Sequence, residues 1–470
     1  MNTFGPRGGS LTAILGEPTR GGQGAAWRPD MLLRHGGGTA LAALGAAALA
    51  VATLRYGPVA LVPLGALFAV ALSGYRRRLT AWLLPLCLLP HGMLAGSLYV
   101  SVSDVLAVVL GAPLLLDRAM GRHDRALLGA LGFPAIAFVI WTAASALWAA
   151  DPAAPLIEAT QRFTFVILGT ALAASLPSDG RLLRRSLVLL VMGSAALAMI
   201  VVVTGIAEGR LMSVYAAGMH KNALGYLLSY GVVTGVALLW HRPTAGSHWL
   251  GAATALAGAG LVVSGSRGAW VGAVVAVGLM SALHRPQWRW FAVTAAAVGA
   301  TLLLTILPPA QLGALAKVDV ANSTADVRIQ TWTQGLDAAA SRPLLGAGAG
   351  NFTADVRSQG SQVDPNNVLL LAAAETGIPG ALLLLAIFVT GFALAARTLG
   401  AASAPPDARV AALAGVGIAA AGFVHAQFDM FWTRSLALAT FIGIGLTLWS
   451  QTSMQSNKSD RELTKMQATS

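Results

Sequence analysis

What most constrains this chain is a succession of long apolar runs, separated by short stretches that hold nearly all of its charge. The runs fall at roughly 39–54, 58–74, 80–99, 103–117, 126–149, 160–176, 186–207, 222–240, 249–265, 268–283, 290–308, 367–396, 408–427 and 433–450. Each is close to the about 20 residues a helix needs to cross the hydrocarbon core of a bilayer. Their Ala, Leu and Val are continuous and lack the period-two alternation of a membrane β-barrel. The fold class expected is all-α: a polytopic transmembrane bundle of about 12–14 helices. Charged residues make up 11% of the 470 residues, against about 25% in a soluble globular chain, which excludes an ordinary water-soluble enzyme. The excess of 31 Lys and Arg over 19 Asp and Glu does not indicate nucleic acid, because these cations sit between apolar runs rather than on a polar face. A single cysteine, Cys87, allows no internal disulfide.

The arginines set the expected orientation. With the N-terminus in the cytoplasm, the inner segments hold 21 of the 31 cations, among them Arg76, Arg77 and Arg78, Arg181, Arg184 and Arg185, and Arg397 and Arg409. The inverse topology violates the positive-inside rule. The organisation read from this is a cytoplasmic basic tail (1–38), N-terminal transmembrane helices (39–308), a large lid-like outer loop (309–366), C-terminal transmembrane helices (367–450) and a polar cytoplasmic tail (451–470) expected to be disordered. The basic tail lacks the short apolar core and small-residue cleavage site of a signal peptide, so the first apolar run reads as a retained anchor. In the outer loop, Ser323 followed by Asp326 is a capping signal. Ile329, Trp332 and Leu336 form an apolar stripe at helical spacing, predicting an amphipathic helix from Ser323 to Pro343.

The cations that run against this topology are the informative ones. Arg210, His220 and Lys221 precede the 222–240 run, and Arg267 sits in the turn Ser264-Gly-Ser-Arg267-Gly. Arg162 opens the 160–176 run, and Arg434 follows Asp429 in the last outer loop. Charges near membrane depth face a bundle interior or a wet cavity, snorkel to the headgroups or pair with a carboxylate. Guanidiniums facing one cavity suit a diphosphate, because arginine offers a planar fork of donors and keeps its charge. The sequence has no Gly-x-x-x-x-Gly-Lys-Ser/Thr loop, no Asp-x-Asp pair and no His/Cys cluster, so metal-independent, cofactor-free chemistry on a lipid-linked donor is expected.

At these motifs the chain resembles the O-antigen ligase / O-antigen polymerase family of bacterial membrane glycosyltransferases. The resemblance rests on Arg210 followed by Gly218-Met-His-Lys-Asn222-Ala-Leu-Gly225, on the Ser266-Arg267 turn, and on Arg328-Ile-Gln-Thr-Trp332 with Pro343-Leu-Leu-Gly346-Ala-Gly348-Ala-Gly-Asn-Phe352. It also rests on Asn366-Asn367-Val-Leu-Leu370 with Ala374-Glu375-Thr-Gly377-Ile-Pro-Gly380, and on His425-Ala-Gln-Phe-Asp429. The resemblance implies transfer or polymerisation of a glycan from an undecaprenyl diphosphate carrier, on the outer face of the cytoplasmic membrane. The partners implied are the carrier-linked glycan, a glycan, lipid or protein acceptor, the bilayer and other polysaccharide-assembly proteins, and no nucleic acid. Arg210, Arg267 and Lys221 are the expected diphosphate ligands, with Arg328, Glu375 and Asp429 in support.

The family's histidine falls on Asn366, which cannot take a proton near neutral pH. The catalytic set expected is therefore Asn366, His425 and Asp364, with His220 and Asp429 on the same outer surface. Two alternatives stay open: a transporter (flippase) for lipid-linked oligosaccharides, and an inactive family member that scaffolds polysaccharide assembly.

Overall fold

The structure, a computed structural model, describes residues 80, 83–88, 92–95, 98–119, 128–177, 180–209, 213–241, 247–284, 324–353, 365–429, 432 and 436–469. These residues form an all-α bundle: α1 (Val102–Ala119), α2 (Gly132–Ala144), α3 (Ala153–Ala174), α4 (Arg181–Ala207), α5 (Lys221–His241), α6 (Ser247–Ser264), α7 (Arg267–His284), α8 (Thr324–Ser341), α9 (Val368–Gly400), α10 (Pro406–His425) and α11 (Leu436–Thr469). Among the described residues, eight helices are long and apolar enough to cross a membrane, α2 doing so with its flanking 3-10 turns as Gly129–Leu147. Two more, Ser103–Leu115 and His248–Ser264, are apolar but shorter. The runs at 39–54, 58–74 and 290–308 lie outside the described residues.

Three features differ from the sequence reading. Within the run at 80–99, Gly92–Ala95 (β1) pairs antiparallel with Leu98–Ser101 (β2), Ala95 opposite Leu98. The Gly-Ser pair between Ala95 and Leu98 is a hairpin-turn sequence. The polar tail is not irregular: α11 runs on to Thr469. Helix extension from an existing end avoids the nucleation penalty, and Lys458, Glu462, Lys465, Met466 and Gln467 are good helix formers. In α8 one member of the predicted apolar stripe, Leu336, faces outward, whereas Trp332 is half-buried with its ring 6.3 Å from that of Phe428. Leu336 is 61% exposed, whereas Thr331, Gln334 and Ala338 are buried, because Gly335 lets this side approach Leu370 and Pro365. The predicted cap, Ser323, lies outside the described residues.

The core is centred on α10 and α11, the most enclosed of the spans. Small residues bring them together, as in many membrane bundles. A Cβ at Gly415 would stand 2.6 Å from the Gly443 carbonyl oxygen. Tyr230 of α5 ties into the same seam through the Thr440 hydroxyl, at 2.8 Å. Gly415→Ala therefore forces two backbones apart and is expected to cost about 1–3 kcal/mol, the usual range for overpacking. The readout is a lower thermal midpoint in detergent, and an unchanged midpoint would refute this account of the seam.

Polar groups sort to the two ends of the bundle. At one end Arg184 of α4 bonds Asp407 of α10 at 2.6 Å. The rings of His241 and His284, the last residues of α5 and α7, pack edge-on at 4.8 Å. At the other end lie the starts of α5, α7 and α9 and the end of α10.

Candidate functional site

The starts of α5 and α7 converge because glycine permits it. A Cβ at Gly225, in the second turn of α5, would lie 2.5 Å from the Ser266 Cβ and 2.8 Å from the Ala269 Cβ. Gly265 makes the preceding turn with φ +68°, a left-handed conformation that favours glycine. It lies against Ser213, whose backbone nitrogen would be 2.6 Å from an added Cβ. Lys221 and Arg267 therefore stand on adjacent helix N-termini, where unpaired N–H groups and the helix dipole favour an anion.

Two more charges join them. Arg328 comes from α8, and Asp429 from the segment just beyond α10; Lys221 feels the charges of Arg267, Arg328 and Asp429, and Arg328 feels those of Asp429 and Arg267. Burial pulls the Arg328 pKa below its ordinary value, Asp429 raises it, and Arg267 lowers it again. Among the described residues, three cations against one carboxylate leave an excess of positive charge in a half-buried site. A bound anion is the direct way to neutralise it.

His425 closes α10 beneath this cluster and is 1% exposed. Its Nε2 lies 3.3 Å from the Ser266 hydroxyl and 4.0 Å from the Asp429 carboxylate. Its ring stacks on Tyr226, centroids 3.6 Å apart. Helix α10 ends at His425, so the pair with Asp429 is made across the end of the helix rather than along one of its faces. The His425 Nδ1 and the Tyr226 hydroxyl have no hydrogen-bond partner among the described residues. Such buried orphans each cost about 1–3 kcal/mol.

The start of α9 abuts the same place. The Val368 N–H donates to the Ala426 carbonyl at 2.8 Å, which sets the Asn366-Asn367 turn beside the end of α10. The two asparagines have different tasks: Asn367 is the N-cap, its side chain accepting from the Leu370 N–H at 2.9 Å. Asn366 is half-buried just outside the helix.

Deeper along α9, Glu375 is buried and organises a second polar centre. Arg162, 1% exposed, donates to it at 3.2 Å and to the Thr142 hydroxyl at 2.9 Å. Glu158, one turn before Arg162, lies at 3.5 Å. The guanidinium also sits over the rings of Phe138 and Trp432, at 5.3 and 5.2 Å. A π-helical stretch, Phe163–Gly169, follows Arg162 directly. The other Glu375 oxygen accepts from the Gly350 N–H at 2.8 Å, and the Glu375 carbonyl accepts from the Gly348 N–H at 2.7 Å. Gly377 then takes φ 71°, ψ 176°, a region nearly exclusive to glycine, and its neighbour Ile378 donates to the Pro343 carbonyl at 2.8 Å. The Pro343–Phe352 segment is thus strapped onto the kink of α9.

The structure brings Lys221, Arg267, Arg328, His425 and Asp429 together, with Asn366 on the adjoining turn. It sets Glu375 in a separate pair with Arg162. Arg210, Asp364 and Arg434 lie outside the described residues. Sequence reasoning did not single out Ser266 as a contact of His425, nor Tyr226, nor the Thr142 and Gly350 groups that complete the Arg162–Glu375 pair. Glu158, which also pairs with Arg162, lies at helical spacing from it and is readable in the sequence.

Among the described residues, eight membrane-length apolar helices define a multi-pass membrane protein with a group of cationic side chains at one end. The family model described as O-antigen ligase matches residues 252–385, which assigns the stretch from α6 through the middle of α9 to the O-antigen ligase family. The match includes Arg267, Arg328, Asn366 and Glu375, and supports a role in glycan transfer or ligation at the membrane. No curated protein matches the chain.

Proposed function

We propose that the chain is a glycosyltransferase that takes a glycan from an undecaprenyl diphosphate carrier at the outer face of the cytoplasmic membrane and passes it to an acceptor hydroxyl. The observation that carries this reading is the meeting of Lys221, Arg267 and Arg328 around the single carboxylate Asp429, on the N-termini of α5 and α7. A diphosphate diester brings two negative charges, matching the positive excess. Arg210 belongs to the same clamp. The acceptor oxygen attacks the anomeric carbon as the bond from that carbon to the phosphate oxygen breaks. The electron pair leaves with the carrier diphosphate, and the fixed cations stabilise that developing charge.

Asn366 orients the acceptor. Asp364 receives the hydroxyl proton directly, whereas His425, being 1% exposed, reaches the site through the Ser266 hydroxyl. Both termini are cytoplasmic in this arrangement, and no cofactor is needed.

The test is a transfer assay with lipid-linked donor and purified protein. Lys221→Gln and Arg328→Gln are each expected to lower kcat/KM by about 10- to 100-fold, the loss of a charge-assisted contact that strengthens in the transition state. Inorganic pyrophosphate is expected to compete with the donor. Full activity in both variants, with no competition by pyrophosphate, would remove the diphosphate clamp.

A further inference from the structure

A cavity of about 690 Å³ lies between the turn after α2 and the strap that follows α8, lined by Trp148, Arg342, Pro343, Leu344, Leu345 and Asn351 among others. It shares no residue with the cationic cluster. Its walls are fixed. The Trp148 indole donates to the Leu345 carbonyl at 3.0 Å and tilts against Trp141, centroids 5.6 Å apart. The Asn351 amide is consumed by the backbone of Asp151 and Ala349. Arg342 is the one charged side chain on the lining.

The surface leading to this cavity is apolar. Phe133, Ile136, Ile140 and Leu147 are exposed, Phe133 and Leu147 above 80%. Their spacing of three, four and seven residues puts them on one face of the α2 span. In a helix of membrane length such a face lies against lipid chains. The stripe ends at Leu147, directly before Trp148, and Leu344 and Leu345 continue it onto the cavity rim, both exposed. Chains therefore have a path up α2, and a headgroup has a concave seat at the end of it. An indole at that level is the usual membrane-interface anchor, and a guanidinium beside it is matched to a phosphate oxygen.

We propose that this cavity binds the headgroup of an anionic glycerophospholipid, its phosphate on Arg342 and its chains along the exposed face of α2. The seat is made by the same segment whose Gly348 and Gly350 amides hold Glu375. An occupied seat thus braces the strap and, through it, the kink of α9.

The test uses the full-length protein in neutral detergent with a photoactivatable phosphatidylglycerol, compared with the matching phosphatidylcholine. Adducts are expected on the 342–351 segment and around Trp148, with phosphatidylglycerol favoured about tenfold, because the choline ammonium of the comparison lipid offsets the phosphate charge that Arg342 otherwise meets alone. Arg342→Gln is expected to abolish that preference. Leu147→Asn is expected to weaken both lipids alike. The helical content of the Arg342→Gln protein is compared with wild type, and the wild-type preference is read without any variant. Adducts confined to other segments, equal labelling by the two lipids, or an Arg342→Gln protein that labels like wild type would each overturn the proposal.

Discussion

Glycan transfer from a lipid-linked donor is expected to fall by about 100- to 1,000-fold in Arg267→Ala, the loss that removal of one preorganised charge-stabilising donor typically brings. Arg267 is the first residue of α7, so its guanidinium and the helix N-terminus act on the same anion. Its position depends on close packing below it. A Cβ at Gly268 would stand 2.7 Å from the His425 ring, and Ser266 is held to the same ring. The loss is expected mainly in kcat, because charge on a diphosphate leaving group grows as the glycosidic bond breaks. Arg267→Lys is expected to recover part of the rate, keeping the charge but losing the planar fork. The check is single-turnover transfer by purified protein with unchanged helical content. Undiminished turnover in the alanine variant would remove Arg267 from the reaction.

The second large effect is on stability. Glu375→Ala leaves Arg162 charged and 1% exposed beside only Glu158 and the Thr142 hydroxyl. Breaking a buried ion pair from one side costs about 3–5 kcal/mol, and the lower end applies here because Glu158 remains. The Gly350 N–H also loses its acceptor, at about 1 kcal/mol or more. The expected readout is a steep fall in thermal midpoint, with easier proteolysis in the 343–352 strap. Glu375→Gln keeps an acceptor for Gly350 and should lose less. The double variant Arg162→Met with Glu375→Leu is expected to be more stable than Glu375→Ala, since it removes the orphaned charge and fills the space with apolar atoms. If the double variant is the less stable of the two, the pair is not what Glu375→Ala disrupts.

Much of the bundle was legible because a bilayer imposes its thickness on every crossing. The runs at 186–207, 222–240 and 408–427 became α4, α5 and α10 with ends shifted by only a few residues. The hairpin at Gly92–Ser101 was not legible from hydropathy, since a short apolar strand and a short apolar helix look alike until the prolines and glycines are weighed. In α8, Leu336 departs from the expected buried stripe for a related reason. Apolar spacing finds the greasy side of a helix, but a small residue such as Gly335 can decide which side gets close to a neighbour.

For the site, charge against the topology rule pointed to Lys221 and Arg267, and the family resemblance added Arg328, His425 and Asp429. It could not say which of them meet. Arg162 and Glu375 were both noticed, yet they are 213 residues apart and their pairing is a fact of packing alone. What the sequence determined by itself is a membrane-spanning all-α chain whose anomalous charges gather toward one side, since solvent polarity acts on each segment separately. Which charges share a pocket, and which are locked in a buried pair, was decided only when glycine-mediated close approach of α5 to α7, and of the strap to α9, set the distances between residues far apart in the chain.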